Sequence, residues 1–463
     1  MSKKRVLVIG LDCAPPELVF DRFRDDLPNI RKMLEDGVHA RMESSHPPIT
    51  IPAWMVMSTS KNPGKLGIYG FRHRKPGTYN DIWLAFSYAI KEKTVWDILG
   101  DQGKKVIVVG VPPAYPPKPV NGSLISGFMT PGINKDYTYP ATLKQEIKTL
   151  VGDYLLDVEF RTDKKETLLK QLADMTTQHF KVLRYLAKTK PWDFFMFVEI
   201  GVDRVHHAFW KYFDKEHHLY TPNNKYENAI LDYYKLVDKE IGKLIDQLDE
   251  DTSIIIVSDH GAKRMKGAFC INQWLSEKGY LKIKKTPTPG TSMAKTEVDW
   301  TKTKAWGWGG YHARIFFNIK GREPQGTIEP KNYEQFKEKI TTDLKNIRGP
   351  NGEEWNTKVY TPEEIYPNAK GDYPDLTVYL DDLNWRSAGT LGYPSYYLPE
   401  NDKGPDDAVH SHHGIFIYYD PKRKTESNRI DDVTLLDFAP TILKIMNIPI
   451  PSDMEGKAIE EVK

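Results

Sequence analysis

A mostly parallel, doubly wound α/β sheet flanked by helices, carrying an inserted cap or lid region, is the architecture this sequence predicts. Three observations lead there. Short apolar runs alternate with amphipathic stretches, the pattern left by βαβ units. Several runs carry Asp or His close to an end, which suits strands whose carboxyl ends meet at one ligand-binding edge. The chain, at 463 residues, is long enough to bury one large core with insertions.

Strands are expected at 5–11, 105–110, 193–198, 253–257 and 414–418, each a short Val-, Ile- or Phe-rich run. Helices are expected at 17–24, 28–36, 51–60, 142–150, 166–187, 224–249, 331–345 and 433–446. Over 224–249, Ile230, Leu231, Tyr234, Val237, Ile241, Leu244, Ile245 and Leu248 recur at helical period, so that helix faces the core. From 280 to 300 periodicity gives way to Pro, Gly and Thr, and 347–357 and 384–407 are similar. The region 280–407 therefore reads as an insertion on a core formed by 1–279 and 408–463.

The 65 basic and 63 acidic residues leave a net charge of +2, which gives no global field toward nucleic acid or membrane. Cys13 and Cys270 match no metal-ligand spacing and imply no disulfide framework; both read as small buried hydrophobes. The start Met1-Ser2-Lys3-Lys4 imitates a leader, but the apolar run after it is short and ends at Asp12. No stretch approaches the about 20 apolar residues that cross a bilayer. A cytoplasmic protein acting on a small molecule, without a membrane span or a specific nucleic-acid partner, is expected; oligomeric state leaves no signal.

The chemistry-bearing residues sit beside the strands. Asp12 closes the first run, and Asp259-His260-Gly261 closes the run at 253–257. Asp203 and His207 follow the run at 193–198 with the spacing of one helical turn, so a helix starting there places both on one face. A His cluster, His410, His412 and His413, precedes the last strand. Mixed Asp and His donors suit zinc, and the donor types leave manganese open. Thr50, just before Pro52, reads either as a helix cap or as a nucleophile whose alkoxide is stabilised by a cation and the helix N-terminus.

Taken in order, Val8-Ile9-Gly10-Leu11-Asp12, Thr50-Ile51-Pro52-Ala53-Trp54, Gly64-Lys65-Leu66-Gly67-Ile68, Asp203-Arg204-Val205-His206-His207, Ser258-Asp259-His260-Gly261 and the late His410 to Gly414 resemble the alkaline phosphatase superfamily. The similarity is greatest to the type I phosphodiesterase and nucleotide pyrophosphatase branch and its prokaryotic relatives. That resemblance implies two divalent metal ions, usually zinc. One is held by Asp203, His207 and a late His; the other by Asp12, Asp259, His260 and the Thr50 oxygen. For the late His the family spacing favours His410, then His412, then His413. It also implies a phospho-threonine at Thr50 and hydrolysis of phosphate esters, with phosphodiester or pyrophosphate bonds ahead of monoesters. Phosphotransfer or mutase work, phosphomonoesterase activity, or an inactive binding protein on the same scaffold are the alternatives.

The sequence departs from the nucleotide pyrophosphatase pattern where Leu66 replaces an expected His and Phe71 falls near an expected Asn, which puts nucleotide specificity in doubt. Arg72, His73, Arg74 and Lys75 follow at once, and Arg72 and Arg74 are candidates to contact a second anionic group. In Ala305-Trp306-Gly307-Trp308-Gly309-Gly310-Tyr311-His312, Trp306 and Tyr311 are candidates to stack a base or sugar ring. A solvated basic loop is the competing reading of the first segment, and packing or loop anchoring that of the second.

Overall fold

The computed structural model describes residues 4–423 and 428–462; the basic start at 1–3 lies outside them. Its centre is a ten-stranded sheet. We label seven of its strands β1 (Arg5–Leu11), β2 (Val38–Glu43), β3 (Val106–Val109), β4 (Gly122–Ile125), β5 (Phe194–Glu199), β6 (Thr252–Val257) and β9 (His413–Tyr419). Two further strands, β7 (Gly261–Arg264) and β8 (Ala408–Ser411), form a separate antiparallel pair. Across the sheet the order is β2-β9-β6-β1-β5-β3-β4, with short strands added at both edges. From β6 to β4 all neighbours run parallel, whereas β9 runs antiparallel to both β2 and β6.

Strand β1 shows why helices cover both faces. Leu7, Ile9 and Leu11 enter one apolar layer and Val6 and Val8 the other, as a two-residue period requires. The first layer is closed by helices α2 (Lys165–Thr189), α3 (Gly201–Phe213) and α4 (Ala229–Ile245). The second is closed by α1 (Thr50–Thr59) and α5 (Phe438–Ile445). Gly10 is required by the approach of α1: a Cβ there would lie 2.6 Å from the Trp54 ring and 2.8 Å from the Phe197 carbonyl oxygen.

All five expected strands form, and the helices over 28–36, 51–60, 142–150 and 166–187 shift by no more than two residues at either end. The segment at 17–24 is a single wide π turn, Glu17–Arg22, followed by a 3-10 turn. The helix expected over 331–345 begins at Tyr333, after a 3-10 turn. That expected over 224–249 is confined to α4, because the chain turns through 222–228 before it. The segment at 433–446 splits: Val433–Thr434 pairs with β2, a Thr434–Asp437 capping box opens a short turn, and α5 follows. No described helix is long and apolar enough to cross a membrane.

A third apolar cluster runs from Phe269 to Leu391, joined by Tyr79. It packs on a four-stranded sheet of Ala305–Trp308, Ala313–Phe317, Leu376–Tyr379 and Lys358–Tyr360. The loop-like stretch 384–407 contains two short strands, Arg386–Ala388 and Tyr397–Leu398, which flank Ala268–Cys270.

Candidate active site

The carboxyl edge of the parallel strands gathers the acids and imidazoles. Asp12 follows β1, with its amide donating to the Glu199 carbonyl at 3.2 Å, and Asp259-His260 follow β6. Asp203 and His207 lie one turn apart in α3. His410 reaches the same edge although it precedes its strand, because β8 pairs antiparallel with β7 and sets His410 opposite Ala262. All six side chains are buried, and they form two groups of converging donors.

In the first group, His207 Nε2 lies 3.1 Å from Asp203 Oδ1 and 3.3 Å from His410 Nε2. His410 Nδ1 donates to the Pro48 carbonyl at 2.8 Å, which fixes the ring tautomer and leaves Nε2 as a lone pair facing the cluster. On the far side of His207, Nδ1 meets Asp406 Oδ1 at 2.7 Å, an acid that orients a ligand histidine as metal-site carboxylates do. Arg204 bridges Asp203 Oδ2 at 2.6 Å and Asp157 at 2.8 Å. Cys13 also lies within this group. Burial pushes Asp203 up, but His207, His410 and Arg204 outweigh it and hold the carboxyl well below its usual range. Burial likewise opposes charge on His207, yet Tyr311, Asp406 and Asp203 raise it well above the ordinary imidazole. Burial and the facing His260 push His410 down to about 3.

In the second group the balance differs. Trp54 Nε1 donates to Asp12 Oδ2 at 2.7 Å, and Cys13 N donates to Asp259 Oδ1 at 3.2 Å. The other two carboxylate oxygens, Asp12 Oδ1 and Asp259 Oδ2, are buried without a hydrogen bond, although His260 Nε2 lies 3.1 Å from Asp259 Oδ2. His260 Nδ1 faces the Gly261 carbonyl at 3.3 Å, and its Nε2 is turned toward these oxygens. Burial and then the mutual repulsion of the carboxylates push Asp12 well up, and burial raises Asp259 as well. Buried acceptors facing one another without a donor are costly, and a cation would satisfy them. The residues present thus fit a divalent metal.

Of the two readings of Thr50, the helix cap does not hold. Thr50 is the first residue of α1, the preceding Ile49 takes the cap position, and no side chain caps the helix. The Thr50 hydroxyl instead lies 3.5 Å from His260 Nε2, beside the second group.

Of the remaining candidates, Tyr311 is brought to the site: its ring stacks on His410 at 3.9 Å and its hydroxyl lies 3.1 Å from His207 Nε2. Arg74 and Trp306 are not. Arg74 is buried between Glu323 and Asp372 and lies over the Trp306 ring, and Trp306 is fully enclosed in the third cluster. Arg72 is exposed and lines a cavity beyond Tyr311. His412 pairs with Asp382 and His413 lies near Asp432, so neither joins the cluster. Sequence reasoning passed over Asp406, Arg161 and Arg386. Arg161 and Arg386 both hold Asp406, at 2.9 and 3.1 Å, and nothing periodic marks any of the three. Arg204 and Trp54 lay inside quoted motifs, where their neighbours drew the attention.

The sequence model of a family described as type I phosphodiesterase / nucleotide pyrophosphatase matches residues 6–416. Among solved structures, murine ectonucleotide pyrophosphatase/phosphodiesterase 5, an inactive form in complex with AMP, superposes with a TM-score of 0.58 at 13% identity, covering 97% of this chain and 96% of that one. The human protein of the same description gives a TM-score of 0.58 at 13% identity, over 98% and 97%. No curated protein matches the chain in sequence.

Proposed function

We infer the chemistry of this chain from the premise that it belongs to the type I phosphodiesterase/nucleotide pyrophosphatase family, which makes it a phosphoric ester hydrolase. The proposed reaction is cleavage of a phosphodiester or pyrophosphate bond through a phospho-threonine at Thr50. The observation that carries it is the Thr50 hydroxyl at the start of α1, not used as a helix cap and facing His260 of the second group of buried acids and imidazoles.

Two divalent cations would be held there, one by Asp203, His207 and His410, the other by Asp12, Asp259, His260 and Thr50 Oγ1. The donor set favours zinc and admits manganese. Bound cations would supply positive charge to the phosphoryl and leaving oxygens and lower the effective pKa of the hydroxyl.

This chain's own residues do the rest. Thr50 Oγ1 forms a bond to phosphorus as the bond from phosphorus to the leaving oxygen breaks, and the leaving group departs as an alcohol or phosphate. Water then cleaves the Oγ1–phosphorus bond, restoring Thr50 and releasing a phosphomonoester from a diester. The Thr50 and Ile51 amides at the start of α1 favour an anion at that point, Pro52 having no N–H and Ala53 donating to the Ile49 carbonyl. Trp54 and the Cys13 amide fix Asp12 and Asp259, while Asp406 and Pro48 fix the rings of His207 and His410. Arg204 and Arg161, the guanidiniums beside the cluster, already pair with Asp203, Asp157 and Asp406, which favours a diester over the extra charge of a monoester. Tyr311 belongs to 280–407, and its contact with both histidines supports that region as a cap over the site.

The test is hydrolysis of bis-p-nitrophenyl phosphate and p-nitrophenyl phosphate by wild type and Thr50→Ala after chelation and re-addition of zinc or manganese. Diester turnover should require metal and fall by at least about 10³-fold in Thr50→Ala, the loss expected of a nucleophile. Undiminished turnover in Thr50→Ala would sink the phospho-threonine.

A further inference from the structure

Beyond Tyr311 lies a cavity of about 360 Å³ whose lining includes Arg72, Arg314, Arg386 and Lys403 against a single acid, Asp402. That volume falls in the range of small-ligand sites, roughly 300–1,000 Å³. The charge is unbalanced. Arg314 makes no ion pair: Nη1 donates to the Arg72 carbonyl at 2.8 Å and the guanidinium lies 5.0 Å over the Trp308 ring. Burial pushes Arg314 down to about 10, with the neighbouring Arg72 adding to the shift and Tyr366 and Asp372 opposing it. Asp402 accepts from Thr390 at 2.8 Å and makes no ion pair with the four cations.

A second feature points to a ligand. The Arg386 side chain is 9% exposed; it spends one Nη1 on Asp406, and its buried Nε has no partner. The buried Ser387 hydroxyl beside it is also without one. Both residues line the cavity, so its wall carries buried polar groups whose hydrogen bonding is unmet.

The cavity is adjacent to the chemistry. Arg386 lines it and lies 4.5 Å over the Tyr311 ring, whose other contacts are His207 and His410. One layer of side chains therefore separates the two.

We propose that this cavity is a subsite for a second anionic group of the substrate, a phosphate or carboxylate carried on the ester group beyond the scissile phosphorus. Arg314 and Arg386 bind the anion, Trp308 packs against the spacer, and Arg72 and Lys403 add charge at the rim. The inference rests on the phosphodiesterase reading and narrows its substrates to diesters bearing an extra negative charge. Arg provides the paired donors such a group needs.

The test compares 4-nitrophenyl phenyl phosphate with its analogue carrying a para-phosphonomethyl group on the phenyl ring, in zinc- or manganese-loaded enzyme. Both release 4-nitrophenol, so recognition alone distinguishes them. Wild type should favour the charged diester in kcat/KM, and Arg314→Gln and Lys403→Ala should each shrink that ratio, by about tenfold for Arg314→Gln, as loss of one charge-assisted contact implies. Equal rates in wild type, or a preference that survives both substitutions, overturns the subsite. If neither diester is cleaved, the hydrolase reading has failed and the subsite is tested by calorimetric titration with benzylphosphonate. Saturable binding that weakens in Arg314→Gln and Lys403→Ala then supports it, and absence of binding removes it.

Discussion

The two halves of the ligand cluster contain the same chemical groups and treat charge in opposite ways. Around Asp203, His207 and His410 the protein supplies its own compensation: Arg204 and an imidazole hold Asp203 ionised, and Asp406 braces His207. Around Asp12, Asp259 and His260, among the described residues, no Arg or Lys is in hydrogen-bond contact, only the His260 ring opposes the charge of Asp259, and both acids are pushed up. The first half is balanced by its own groups, whereas the second would be completed by the proposed metal. Removing an acid should therefore have opposite consequences in the two halves.

In chelated protein, Asp203→Asn leaves Arg204 and His207 short of a buried counter-charge and should destabilise by about 3 kcal/mol, the cost of breaking a buried pair. Asp259→Asn removes a buried charge that faces another while keeping an oxygen for the Cys13 amide, and should raise stability rather than lower it. Denaturant melts of both variants in excess chelator measure this. Losses of equal size would erase the distinction between the halves.

The same contrast sets a pH dependence for the metal-free protein. A carboxyl raised in the folded state binds its proton more tightly there than in the unfolded chain. Stability from Asp12 and Asp259 is accordingly present below the ordinary carboxylate pKa and is lost as pH rises through their folded values. Asp203 runs the other way: its contribution is present above the ordinary value and is lost as pH falls toward its depressed one. The difference in stability between Asp259→Asn and wild type should therefore grow from pH 4 upward in chelator and shrink once zinc is restored. A difference flat with pH would show that the second half carries no excess charge.

A third consequence concerns which histidine matters. His410→Ala should cost one of two bound metal ions by elemental analysis, since its lone pair faces His207 and Asp203. His412→Ala removes only a partly exposed pair with Asp382 and should change metal content by less than about 10%, with stability altered by no more than about 1 kcal/mol. Equal metal loss from both would transfer the ligand role away from the geometry seen at β8.

How much of this the sequence disclosed follows from where each signal is local. β1, β5, β6 and β9 are buried on both faces, so their apolar runs are continuous and easily read, and the ligands stand beside them. β2 was passed over because Val38, Ala40 and Met42 alternate with His39, Arg41 and Glu43, leaving no continuous run. The sheet under the third cluster was hidden for another reason: Ala305–Trp308 contains a glycine and two tryptophans, and Leu376–Tyr379 only four residues. Trp306 and Arg74 have the residue types of a ligand platform, but stacking and ion pairing inside that cluster use them up. Asp406 lies in an aperiodic loop, and only the fold puts it against His207.

Cys13 gives the smallest effect and the closest test of how the first half is built. Its position places sulfur among Asp203, His207 and His410, which would make it a fourth protein ligand if it ionised. Burial and then the charges of Asp203, Asp12 and Asp259 push the thiol well up, and Sγ donates to the Gly261 carbonyl at 3.4 Å. An extra negative charge among three carboxylates is the least favourable state available to it, so the sulfur stays protonated and acts as packing. Its backbone at φ +67° is already left-handed, so Cys13→Ala adds no strain of that kind. Metal content should be unchanged, with diester turnover within about twofold and stability lower by about 1 kcal/mol for the lost contacts. Loss of one ion in Cys13→Ala would mean that the first half depends on a thiolate formed only when metal binds. Its compensation would then come from the cation, as in the second half, and the difference between them would be one of degree.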